Sequence, residues 1–176
     1  MPVFLALLAA FAGVVFYMVR ARNAAYAARE LADMASDVMG AARRFAFRRR
    51  AETHPVESID DARLASAALA VAFFELDSLP TAEGRSALQH AISRHLAKDF
   101  SESEDMMVLG HWLVSQCGTA QAAVTRLARR VARLDRSGQF EPLMAVLTET
   151  AQASGGALSA RQREALEEIA RQMNLR

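Results

Sequence analysis

Residues 58–96 read SIDDARLASAALAVAFFELDSLPTAEGRSALQHAISRHL. After Ser58, an apolar helix is expected through Leu64, Leu69, Phe73 and Leu76. The turn Asp77-Ser78-Leu79-Pro80 stops it, because proline has no amide to continue a helical ladder. Thr81 is placed to cap a second helix, whose Leu88, Ile92 and Leu96 recur every four residues. The same grammar runs on downstream. Ser101 and Glu104 have capping-box spacing ahead of a helix through Met107 and Trp112 towards Gly118. Thr119 precedes a fourth helix with Val124, Leu127, Val131 and Leu134, ending near Gly138; a fifth runs from Phe140 to Ala153. Ser159 with Gln162 opens a last one through Leu166 and Ile169. No alternating β-branched stretch occurs from residue 58 onwards, so the fold class is all-α.

The hairpin at 58–96 has an echo. A slide of 78 residues lays Leu69 on Leu147, Thr81 on Ser159, Arg85 on Arg163, Ala87 on Ala165 and Leu88 on Leu166. Both copies read apolar helix, short turn, hydroxyl cap, apolar helix, which makes a pseudo-repeated hairpin the expected arrangement.

Upstream, Ala27, Leu31, Met34, Val38, Ala42 and Phe45 keep helical spacing. Residues 20–57 are read as a basic amphipathic helical stalk and linker, hinged at Gly40 and stopped at Pro55. Further upstream, Met1 to Val19 carries no charged side chain. Nineteen helical residues span about 28 Å, close to a bilayer core of about 30 Å, so residues 1–19 are read as a single transmembrane anchor. A cleavable signal peptide is the competing reading, since Ala25-Tyr26-Ala27 has the small-x-small form of a cleavage site. The long apolar run and the absence of a preceding Lys or Arg weigh against it. Arg20, Arg22 and Arg29 follow the span, so the positive-inside rule expects a single pass of the inner membrane with the C-terminal body in the cytoplasm.

With 176 residues, 52% hydrophobic and 23% charged, the chain suits one domain plus an appendage rather than two large domains. The lone Cys117 excludes an intramolecular disulfide scaffold. A formal charge of +1 hides an uneven distribution: residues 1–50 sum to +5 and residues 51–176 to −4. The Arg43, Arg44, Arg48, Arg49 and Arg50 cluster admits three readings: a solvated or intradomain charge cluster, contact with acidic lipid headgroups, or, least favoured, nucleic acid. A straight stalk would carry Arg43 about 35 Å from the anchor, several Debye lengths away. Lipid contact therefore requires the stalk to bend back.

The segments FFELDSLPTAEGRSAL at 73–88 and AQASGGALSARQREALEEIARQMNL at 151–175 resemble the TerB-like domain family, over about residues 58–176. That family includes tellurite-resistance proteins and the N-terminal part of the membrane-anchored co-chaperone DjlA. The resemblance implies a compact helical bundle, a role in envelope or metal stress, and acidic hairpin turns associated with metal binding. Asp77 stands at the family's Asp position, Thr81 keeps the capping hydroxyl, and Glu83 keeps one acid; in the second turn Gly155, Arg161 and Gln162 replace the acids. Asp77 and Glu83 are thus the implied metal ligands, with Glu75 nearby. A hard divalent cation wants about six to eight oxygens, which these side chains alone do not supply. The plainer reading gives both carboxylates turn and helix N-terminal roles. DjlA-like chains end in a J domain with a His-Pro-Asp tripeptide; here only His54-Pro55-Val56 appears, without the Asp, so J-type activity is not carried over.

No phosphate-binding Gly-rich loop, His-Glu-x-x-His pair or Cys-x-x-Cys motif occurs, so neither an enzyme nor a bound cofactor is expected. His95 and Asp99 share helical spacing and are read as a surface ion pair in preference to a metal ligand with its partner or an acid–base pair. His90, His111 and Cys117 would make a site only if the fold gathered them. Arg126, Arg129, Arg130, Arg133 and Arg136 form a basic stripe without interleaved aromatics, so a solvated face is expected and no nucleic-acid partner. The expected function is a membrane-anchored cytoplasmic interaction module with an unidentified protein partner. A divalent-metal-responsive module is the alternative.

Overall fold

A computed structural model describes residues 33–47, 52–76, 81–153 and 156–173, and these are all-α. The anchor read at residues 1–19 lies outside the described residues, as do Arg48, Arg49, Arg50 and Asp77. No helix among the described residues is long and apolar enough to cross a membrane. By its contacts the chain divides after Asp37. Of the first unit, residues 33–37 are described; they are helical and exposed.

The second unit opens on α1, residues 38–44. It ends with paired bonds from the Ala46 amide to the Arg43 carbonyl (3.1 Å) and from the Phe47 amide to the Ala42 carbonyl (2.8 Å). This is a Schellman closure, and Ala46 holds the left-handed position (φ 50°) that glycine normally takes. The closure turns Phe47 onto Trp112, edge to face at 5.8 Å between ring centroids. Ala41 is fully buried, and Val38, Ala42 and Phe45 pack on the core. Part of the segment read as a stalk therefore belongs to the compact body.

A short 3-10 turn, Pro55–Ser58, leads into α2, Ala62–Phe74. The cap of α2 is Asp61, whose Oδ1 accepts from the Arg63 amide at 2.8 Å; Ser58 is buried in the preceding turn. From Leu64 to Phe74 every residue of α2 is buried. A helix that is apolar all round is an interior helix, and α2 packs against both α4 (Phe100–Gln116) and α5 (Ala120–Ala153). Gly110 marks the crossing with α4: a Cβ there would meet Val71 Cγ2 at 3.0 Å and the Ala68 Cα at 3.4 Å.

Helix α3, Ala82–His95, is capped by Thr81, whose Oγ1 accepts from the Gly84 amide at 3.0 Å. Helix α4 starts two residues earlier than the Ser101–Glu104 spacing suggests. Asp99 accepts from the Glu102 amide at 2.8 Å, and Glu102 reaches back to the Lys98 amide. An ionised cap facing the helix dipole makes this the better start. The two helices expected between Thr119 and Ala153 are present as two arms of α5, joined at Asp135 (φ −160°, ψ 84°) rather than near Gly138. Asp135 Oδ1 accepts from the Gly138 amide at 3.0 Å, which starts the second arm ahead of Phe140. Helix α6, Ala160–Gln172, opens on the expected capping box, with Ser159 and Gln162 bonded reciprocally at 3.0 and 3.2 Å.

The repeat register survives in the structure. Thr81 and Ser159 both cap, each to the amide three residues on, and α2 and α5 end at Phe74 and Ala153, within one residue of the 78-residue slide.

Candidate functional site

The polar groups singled out in the sequence go to separate places. His54 Nδ1 accepts from the Val56 amide at 3.3 Å and caps the 3-10 turn, while its Nε2 reaches the Gln116 carbonyl at 3.2 Å. The His90 ring leans on Phe100, with centroids 5.6 Å apart. His111 Nδ1 donates to Glu75 at 2.7 Å, joining α4 to the end of α2. His95 does not pair with Asp99, which is engaged as the cap of α4. Its Nε2 donates instead to Glu149 Oε1 on α5 at 2.8 Å, and Arg94 meets the same carboxylate at 3.0 and 3.1 Å. Four imidazoles thus make four different contacts. Cys117 lies half-buried at the end of α4, where burial pushes its thiol up against the opposing charge of Arg126.

The hydrogen bond from His95, helped by Arg94 and opposed by burial, holds the Glu149 carboxyl below the ordinary carboxylate range. A carboxyl depressed in the folded state stabilises above its unfolded value and loses that contribution as pH falls through the folded one. Glu149→Gln is therefore expected to lower stability at neutral pH by about 0.5 kcal/mol, the scale of a pair that solvent still screens. The difference from wild type should shrink as the pH falls below the ordinary carboxylate range, read as urea midpoints from neutral to acid pH.

Of the implied metal ligands, Glu83 is exposed in the first turn of α3, where its charge suits the helix N-terminus. Asp77 is outside the described residues. Among the described residues no group of three or more His, Cys, Asp or Glu side chains is arranged to hold a metal ion.

The basic residues also separate. Arg44 forms a two-pronged pair with Asp105 on α4, and Arg43 is exposed. In the stripe on α5, Arg126, Arg129, Arg133 and Arg136 are exposed, with Arg133 paired to Glu57 at 2.8 Å. Arg130 is only 13% exposed, and its Nε donates to the Ile59 carbonyl at 2.7 Å. It fastens the chain entering α2 and is not part of a solvated face.

An apolar recess that no sequence motif marks lies between the second arm of α5 and α6. It encloses 260 Å3 and is floored by Phe73, Met144, Leu147, Leu158 and Leu166, with Ala151 on its wall. Thr148, Gln152 and Gly156 form an exposed rim. The chemistry it offers is apolar contact with two hydrogen-bonding side chains at the mouth.

Comparison with family models, with curated proteins and with solved structures gives no match to this chain.

Proposed function

We propose that this chain is a membrane-tethered helical docking module of the TerB-like kind, held by residues 1–19 in the inner membrane with its body on the cytoplasmic side, and serving an envelope or metal stress response. The observation that carries the docking role is the disposition of side chains just described. The imidazoles are engaged in four separate structural contacts, while an open recess in the second hairpin is apolar. Such a surface favours binding a protein over transforming a substrate. Tethering is supported by the uncharged run to Val19 and the three arginines, Arg20, Arg22 and Arg29, that follow it. The TerB-like likeness rests on the two hairpins and their hydroxyl caps.

The test is chemical crosslinking in intact membranes followed by recovery of the full chain. A specific partner, recovered over a control chain carrying the anchor alone, is expected. Recovery of nothing beyond that control contradicts the docking role.

A further inference from the structure

The two hairpins keep one register but not one volume. Under the 78-residue slide, Phe73 and Phe74 in the first copy correspond to Ala151 and Gln152 in the second. In the first copy both phenyl rings are buried, at 1% and 2% exposure. In the second, the short Ala151 and the exposed Gln152 border the recess. The recess thus borders the two positions at which the second hairpin lacks the first copy's aromatic rings, with Ala151 the one short side chain there. Its 260 Å3 exceeds the roughly 150 Å3 of a dry apolar cavity that accepts benzene.

The geometry points to this recess as the seat of an aromatic side chain presented by the partner protein, a site that deepens the docking reading and rests on it. The internal copy supplies the argument for the occupant, since at matched register this chain places its own phenyl rings. Phe73 and Leu147 form the floor, and the thioether of Met144 suits an aromatic edge. Aromatic anchors in desolvated pockets dominate the energetics of protein interfaces, and a recess of this size takes one ring. At the mouth, the Thr148 hydroxyl and Gln152 amide can hydrogen-bond to backbone flanking that ring.

The test uses the full chain in amphipol, with 13C-labelled methionine methyls, titrated with indole as the probe. Indole is expected to shift the Met144 methyl saturably, and the shift is expected to be lost in Ala151→Phe, which returns a ring to the second copy. Ala151→Leu serves as a smaller block should the phenylalanine variant fold poorly. No saturable shift in the wild type, or the same shift in both folded variants, overturns the assignment. In membranes, a photoreactive residue at position 152 is expected to crosslink to an aromatic residue of the partner, and Ala151→Phe is expected to abolish that crosslink. If the partner is still captured through other positions while this crosslink is absent or indifferent to Ala151→Phe, the docking role stands and the recess is not its seat.

Discussion

Gly110→Leu is expected to lower the unfolding free energy by about 3 kcal/mol, the upper part of the usual range for overpacking a close-packed interior. The reason is local. At Gly110 the backbone of α4 comes against Val71 and the backbone of Ala68, and α2 is covered on its other side by α5, so it has nowhere to retreat. Gly110→Ala separates crowding from helix propensity. Its single methyl meets Val71 Cγ2 at 3.0 Å, tight but against a side chain, while replacing a mid-helix glycine by alanine returns about 1 kcal/mol. The alanine variant should therefore fall within about 1 kcal/mol of wild type. Urea unfolding of both variants, followed by circular dichroism, checks the pair. Equal stabilities for the leucine and alanine variants would mean that α2 and α4 do not cross at this residue.

Arg44→Ala is expected to cost about 2 kcal/mol, less than breaking a fully buried ion pair because water reaches the arginine. The two partners are unequally placed. The Asp105 side chain is 10% exposed and that of Arg44 61%. Removing the arginine strands a carboxylate in the protein, whereas Asp105→Asn leaves a guanidinium that solvent can take up. The asparagine variant should then cost only about 1 kcal/mol, near the net worth of one hydrogen bond. The double variant should cost less than the sum, since neither charge remains to be stranded. Additive losses would show that Arg44 stabilises through its other contacts and not through Asp105.

The hairpin grammar made much of this fold legible. Thr81, Thr119 and Ser159 all cap as their positions suggested, because a hydroxyl ahead of an apolar run has few competing uses. Where two starts were available, spacing alone could not choose. Asp99 with Glu102 and Ser101 with Glu104 have the same interval, and the ionised side chain won. Long-range pairing was the larger omission. His95 has an acid four residues on, yet its partner Glu149 lies 54 positions away, and nothing in the local pattern announces that. Arg130 sat within a basic stripe of helical spacing, and only the turn from Ile59 into α2 distinguishes it. The recess was hidden for a different reason. It arises where the short Ala151 and the solvent-facing Gln152 stand at the register of two phenylalanines, and missing volume carries no motif. Comparing the two copies for bulk as well as identity was the available signal. The docking of Val38, Ala42 and Phe45 was partly visible as helical spacing, but that of Ala41 and Phe47 was not, and the same spacing also describes a free amphipathic stalk.

Protease accessibility of the full chain in sealed inverted inner-membrane vesicles tests the tether and its sidedness together. The intact chain is expected to sediment with the vesicles, to resist extraction by carbonate, and to have its body digested without detergent. Recovery in the soluble fraction, or a body protected until the vesicles are opened, would contradict a module held on the cytoplasmic face.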